Sequence, residues 1–509
     1  MLSNKETQID EIDKEFKIHK FRGVSPKLLD LIKSFKGSDV LVYFDPDVDG
    51  MLSGVFVCRL LAKLGISYEY YVNSHRSHGW FLPIEKVKGM NIIAVDFIIT
   101  REKIVELVDN GCNVISMDHH INETEFIEYS SGGKYGVVIN NQYPFEEEDC
   151  RYLSGAGVVF EVFSSIYPEY NTLENRALVG ITLLSDVRDI ENPYARYYLY
   201  DLYNHKCRGY IGYLIDHTVG DKDYGFGVPR MDRNFVDYKF SPAINACLRF
   251  NKEREVVSFF LGSGYLNLEY REKQKEIVAE IQGHLDIWDF SNIRVCLFKN
   301  WELESYKEYK SILSNFVGLV ASKNLDGEHS CICYMLSFRK DEKDKWDVYV
   351  KRGSFRGRVN GFDYLEPIKD VLPGVGHPSA FGIKSFKPSN KLFKYINQMC
   401  KDVDENIKPQ KDQIYTCGNL NMFSVAKGMN LAIHNAYCLS QNKKYIQYTG
   451  SNIKRKRSGA KFAEYSVDGI TVTCFDSDVN FENGLICPTL DRSMVYMYLG
   501  KNEVAGAEE

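Results

Sequence analysis

No uninterrupted apolar run approaches the roughly 18–20 residues that cross a bilayer. The first residues, MLSNKETQIDEIDKEF, are charged where an export leader is apolar. Neither a membrane span nor a secretory signal is expected, and the expectation is a cytoplasmic protein. Paired cysteines are missing too: the 13 cysteines are odd in number and scattered, and none forms a CxxC pair. That argues against a disulfide framework and against a zinc ribbon. Cys331 and Cys333, in SCICYMLSF, fall in a strand-like run, where a shared core face is a simpler reading than metal ligation. There is no excess of positive charge either. With 63 Lys and Arg against 69 Asp and Glu the net charge is −6, which argues against a generally basic coat for nucleic acid but leaves room for a local positive channel. What is present is an ordinary globular balance, 44% hydrophobic and 26% charged, over a length that suits roughly three to four domains.

From Asp39 onward short apolar strands alternate with amphipathic helices. DVLVYF is followed by an acidic turn and then by MLSGVFVCRLLAKLG, with apolar residues at Leu52, Val55, Phe56 and Leu60 and a closing Gly65. The pattern repeats through SYEYYV, MNIIAVD, the helix TREKIVELVDNG with Thr100 as its N-cap, CNVISMD and YGVVIN. This predicts an α/β fold with a parallel sheet covered on both faces. The boundaries expected are an N-terminal helical cap at 1–36, a catalytic domain at 37–219, and a basic and aromatic connector at 220–287. That connector ends in the long helix YREKQKEIVAEIQGHL. A second α/β domain follows at 288–395, and a small β-rich domain at 396–509 resembles an oligonucleotide-binding barrel in strand spacing.

In a parallel sheet the working loops lie beyond the carboxyl ends of the strands. Acid collects there. FDPDVDG places Asp45, Asp47 and Asp49 after the first strand, Asp96 ends IIAVD, Asp118, His119 and His120 follow NVISM, and Asp186 lies near the end of NTLENRALVGITLLSDVRD. Three carboxylates in one turn repel unless a cation joins them, although such turns also cap helices without any metal. Calcium in an EF-hand is disfavoured, because the twelfth position of a loop starting at Asp45 is Phe56 rather than Glu. Mixed Asp and His donors suit manganese well and magnesium acceptably. Two such ions can hold a phosphoryl oxygen and promote in-line attack by water, so the chemistry expected is phosphoester hydrolysis.

The motifs FDPDVDG, AVD, MDHH and LLSD, in this order, resemble those of the DHH phosphoesterase superfamily. The resemblance is to its RecJ single-strand exonuclease branch in particular. HRSHGWFLP is similar to that branch's Arg/Gly loop, YLSGAGVVFEVF to its GAG helix, and FSPAINACLRF to its PxINAxGR segment. RGSFRGRVNGFDYLEPI and GVGHPSAFGI resemble the DHH-associated domain. The sequence departs from the pattern at Tyr43, where the superfamily often has His, and at Ala243, Leu248 and Val375.

The resemblance implies that Asp47, Asp49, Asp96, His119 and Asp186 bind two manganese ions, with magnesium as the substitute and Asp45 as a further acidic ligand or neighbour. His120 would act at the scissile phosphate, and Asp118 would be catalytic or would orient the histidines. Arg76, Asn245, Arg249, Ser354, Arg356 and His377 would bind phosphates of a single DNA strand with a 5′ phosphate, with a helicase or single-strand-binding protein as partner. The function implied is a single-stranded-DNA-specific 5′–3′ exonuclease of repair, recombination or replication. The alternatives are a phosphodiesterase for short oligonucleotides or cyclic dinucleotides, and a non-catalytic replication scaffold. The simpler readings are a turn shaped by His377, surface ion pairs at Arg76 and Arg249, and a solvated loop at Lys454, Arg455, Lys456 and Arg457.

Overall fold

The computed structural model describes residues 17–387 apart from 74–78, 122–124, 187–192, 205–208, 219–230, 232–234, 290–292, 304–308, 310, 327–328, 341–345, 359–363, 369–373 and 378. Beyond residue 387 it describes residues 398 and 402 and the strands named below. The chain divides into two units, one of residues 1–283 with 303–316, the other of residues 284–302 with 317–509.

Among the described residues of the first unit the first helix is α1 (Pro26–Ser34), within the segment expected as an N-terminal cap. The unit's sheet is built from β1 (Val40–Phe44), β2 (Glu69–Val72), β3 (Asn91–Val95), β4 (Asn113–Asp118), β5 (Glu128–Ser131) and β6 (Lys134–Asn140). The order is β2-β1-β3-β4-β6-β5, parallel throughout except for β5, which runs against β6. Every residue of β1 and β3 is buried, which is why these strands read as continuous apolar runs rather than alternating ones. Leu41, Tyr43, Ile92, Ala94 and Val114 form one core face, closed by Ile104, Leu107 and Val108 of α3 (Arg101–Asp109). Helices α2 (Val48–Lys63) and α4 (Gly155–Ile166) pack on the sheet and on each other, joined by α5 (Leu173–Ser185).

Helix starts follow local chemistry. The Asp47 side chain accepts from the Gly50 N–H at 2.8 Å, Thr100 accepts from Lys103 N–H at 3.3 Å, and Ser154 accepts from Gly157 N–H at 3.2 Å. Each cap satisfies one of the helix's unpaired amides and contributes about 1 kcal/mol. Two helices follow, α6 (Pro193–Asn204) and α7 (Gly209–Asp216), and the segment expected as a connector contains α8 (Ser241–Arg249), α9 (Glu253–Phe260) and the long helix α10 (Glu269–Gly283).

The second unit contains β7 (Asp286–Asp289), β8 (Ile293–Lys299), α11 (Val317–Asn324), β9 (Ser330–Lys340), β10 (Trp346–Arg356), β11 (Gly374–His377) and β12 (Ala380–Ile383). Its sheet order is β11-β12-β10-β9-β8-β7, with β8 and β9 parallel and the other pairs antiparallel. Cys331 and Cys333 are both buried in β9 two residues apart, so they share a face. The last residues are rich in strands. A hairpin of β13 (Ile414–Cys417) and β14 (Leu420–Phe423) precedes β15 (Ile446–Gln447), β16 (Ile453–Gly459), β17 (Phe462–Val467), β18 (Ile470–Cys474), β19 (Gly484–Pro488) and β20 (Met494–Tyr498). The run Lys454 to Arg457, read from sequence as a solvated loop, instead lies in β16 at the sheet edge, with a register shift between Arg455 and Arg457. An edge strand needs a ladder on one side only and tolerates consecutive charges there.

Candidate metal centre

The acidic residues converge because the sheet is parallel: β1, β3, β4 and β6 all end on the same edge. Asp45 and Asp47 leave β1, Asp49 stands in the first turn of α2, Asp96 follows β3, Asp118 ends β4 opposite Asn140 of β6, and Asp186 caps the end of α5. His119 lies among them. Its Nε2 is 3.1 Å from Asp96 Oδ1 and 3.7 Å from Asp49 Oδ2, and its Nδ1 is 3.7 Å from Asp186 Oδ2. Two groups of donors, Asp96–His119–His120 and Asp49–His119–Asp186, each have ligand atoms within 4.8 Å of one another and share His119.

The remaining acids have identifiable work. Asp47 caps α2, so part of its carboxylate serves the helix. Asp45 is buried and accepts from Asn73 Nδ2 at 3.4 Å. Asp118 Oδ1 lies 2.7 Å from His120 Nδ1 and accepts the His119 N–H at 2.8 Å. It therefore orients the histidine pair. Asn140 Nδ2 donates to the His120 carbonyl at 2.9 Å, fixing the same turn from the neighbouring strand.

Electrostatics at this edge favour a cation. Burial pushes the Asp96 carboxyl well above its ordinary value, and Asp49, Asp47, Asp45 and Asp118 add to the rise. Burial raises Asp49 as well, with Asp186 and Asp47 adding to it, against the Ala156 and Gly155 amides that hold its anionic form at 3.0 and 2.7 Å. For His120 burial works downward, yet the charge and hydrogen bond of Asp118, with Asp186 and Asp45, carry it up to about 9. Among the described residues no hydrogen-bond donor satisfies Asp96 Oδ1. A buried carboxylate oxygen without a donor, facing imidazole and further carboxylates, fits a divalent cation with oxygen and nitrogen ligands.

Two glycines make the crowding possible. A Cβ on Gly155 would lie 2.4 Å from Asp96 Oδ1, and one on Gly50 would lie 2.5 Å from the Asp45 carbonyl oxygen. Asp96 itself takes a left-handed backbone, φ 63°, a strained choice for a residue with a Cβ and one that recurs at functional sites. Asn73, Asn140 and Gly155 were not among the site residues expected from sequence. The Ser-Gly-Ala-Gly start of α4 was the available signal for Gly155, whereas single asparagines carry none.

The expected phosphate-binding residues are distributed differently. In the first unit Arg249, at the end of α8, donates to Gln274 of α10 at 2.8 Å, an intramolecular partner. Asn245 is half-buried on α8. In the second unit Arg356 Nη1 donates to Ser354 Oγ at 2.8 Å and to the Phe355 carbonyl at 2.7 Å, while Arg356 Nε donates to Ser322 Oγ at 3.2 Å. Burial lowers the Arg356 guanidinium to about 10. His377 is placed in β11, paired with Ala380. Arg76 lies outside the described residues.

Residues 39–184 match the description "DHH family, N-terminal domain". No protein of curated function matches the sequence. The chain is similar in structure to RecJ from Thermus thermophilus in complex with Mn2+, at TM-score 0.63 and 16% identity over 97% of this chain and 74% of that one. The same protein with Mg2+ gives TM-score 0.55 at 14% identity over 97% and 72%. An exonuclease RecJ bound to manganese gives 0.51 at 16% identity over 77% and 97%. With its acids gathered at the ends of β1, β3 and β4, the chain carries a DHH-family N-terminal domain over residues 39–184 within a RecJ-like fold.

Proposed function

We propose that the chain is a divalent-metal-dependent phosphodiesterase that shortens single-stranded DNA from its 5′ end. The observation that carries this reading is the placement of Asp49, Asp96, Asp186 and both histidines within bonding reach of common points at one sheet edge. Asp49, Asp96, His119 and Asp186 would hold the ions, with Asp45 and Asp47 on their flank. Manganese fits the oxygen and imidazole donors, magnesium being the harder substitute. When bound, such ions neutralise phosphoryl charge and acidify water for in-line attack.

The protein's own groups supply the rest. Gly155 and Ala156 amides fix the Asp49 carboxylate, and Asp118 fixes the His120 ring. His120, oriented by the 2.7 Å contact of its Nδ1 with Asp118 Oδ1, would deliver a proton to the departing oxygen. Arg76, Asn245, Arg249, Ser354, Arg356 and His377 would take the strand's phosphates, because guanidinium and hydroxyl donors match phosphate oxygens. Delivery of the strand by a helicase or a single-strand-binding protein, in the cytoplasm, belongs to the same reading.

The test is digestion of end-labelled single- and double-stranded DNA and RNA with manganese, magnesium or chelator. Expected is stepwise loss from the 5′ end of single-stranded DNA with manganese, absent in chelator and absent in Asp49→Ala and His119→Ala. Undiminished hydrolysis in chelator overturns the metal chemistry. Turnover of dinucleotides in preference to long strands overturns the substrate assignment and favours a short-oligonucleotide phosphodiesterase.

A further inference from the structure

We propose that His19, Glu146 and Cys150 form a second cation site, outside the acidic centre, that takes a borderline-soft divalent ion of the zinc type. The three side chains come from separate places: the segment before α1, the loop after β6, and the 3-10 turn Glu148–Tyr152. All are buried, Cys150 completely and the other two to 7% exposure. Their ligand atoms, a His19 ring nitrogen, a Glu146 carboxylate oxygen and Cys150 Sγ, lie within 4.8 Å of one another. Nitrogen, oxygen and sulfur together are a donor set that zinc accepts and magnesium does not.

A second observation points to the same ligand. The ring nitrogen turned away from Glu146, His19 Nδ1, is 3.5 Å from Glu147 Oε2. A carboxylate behind the non-ligating nitrogen is the usual support of a metal-binding imidazole, because it holds the proton on Nδ1 and turns the Nε2 lone pair toward the ion. Nε2 faces Glu146 Oε2 at 2.7 Å, so one cation can bridge the two. A proton does so at this separation. An ion at about 2.0–2.3 Å from each ligand requires the pair to open by roughly an ångström, within reach of side-chain torsion.

The frame around the three ligands is already held. Glu146 Oε1 accepts the Arg22 N–H at 2.9 Å, and the His19 N–H is held by the buried Glu161 at 2.8 Å. Asn141 Nδ2 donates to the Cys150 and Leu153 carbonyls at 2.8 and 3.2 Å. The charge balances as well. One divalent ion enters, while the proton shared by His19 and Glu146 and the thiol proton that Cys150 gives to the Glu147 carbonyl at 3.0 Å both leave. Occupied, the site would fasten the segment before α1 to the turn that leads into Ser154 and Gly155, whose helix holds Asp49.

Cobalt(II), added to the full chain, reads this directly, because a cobalt–thiolate bond absorbs strongly in the near ultraviolet and the acidic centre offers no sulfur. Expected is a thiolate charge-transfer band in the wild-type protein, displaced by zinc, kept in Asp49→Asn and lost in Cys150→Ser. His19→Gln, which retains the thiol, should weaken the band, and it serves as the second reading if the serine variant does not fold. A wild-type protein saturated with cobalt that shows no such band overturns the proposal, as does a band that survives both substitutions.

Discussion

Asp96 and Gly155 meet so closely that a single methyl group on the glycine would lie 2.4 Å from the Asp96 carboxylate. The contact locks the strand-end loop of β3 to the first residue of α4, the same residue whose amide holds Asp49 at 2.7 Å. Gly155→Ala must therefore displace Asp96, or the helix start, or both. Expected is a folded protein whose manganese affinity falls by roughly 10- to 100-fold, the range seen when the supports of metal ligands are disturbed. Calorimetric titration checks it, and unchanged affinity would show that the helix start yields instead.

The left-handed Asp96 separates stability from binding. Its backbone at φ 63° and its raised carboxyl both disfavour the metal-free fold. Asp96→Gly removes the strain, which is on the order of 1–3 kcal/mol. In chelator the variant should unfold at higher denaturant concentration than wild type, while manganese binding is lost.

Asp118 decides the charge of His120. With the charge of Asp118 removed in Asp118→Asn, burial of the ring is opposed by Asp186 and Asp45 without it, so the pKa should drop from about 9 toward the ordinary 6.5. Histidine titration by NMR measures it directly. Since His120 is the proposed proton carrier, activity of the variant should fall above that new pKa, where wild type still works.

Glu161 makes stability depend on pH in a stated direction. Burial raises it to about 7 from 4.5, against the hydrogen bond of Tyr198, the His19 amide and the His19 charge. The folded state thus holds a proton that the unfolded chain releases, and stability falls as pH rises from 4.5 through 7. At roughly 1.4 kcal/mol per pH unit this amounts to about 3 kcal/mol. Glu161→Gln, which cannot ionise, should flatten that decline in denaturant unfolding measured across the window.

Much of the fold and of the acidic edge was legible in the sequence. The buried strands VLVYF and NIIAV, the Thr100 cap, and the acids at strand ends are all local patterns, set by periodicity and by hydrogen bonds between near neighbours. Register within a parallel sheet then carries acids from distant segments to one edge with no further information. The basic run at 454–457 misled because charge alone does not distinguish a loop from an edge strand.

The sequence by itself determined which residue types stand at the ends of the strands, and hence the chemistry available there. Only the tertiary structure decided how that chemistry is shared out. Asp47 serves a helix cap and Asp118 a histidine, and Gly155 stands where no larger residue fits. It also brought His19 to Glu146, 127 positions further along the chain, and to Cys150. Burial and close approach are properties of segments packed together, and no segment carries them alone.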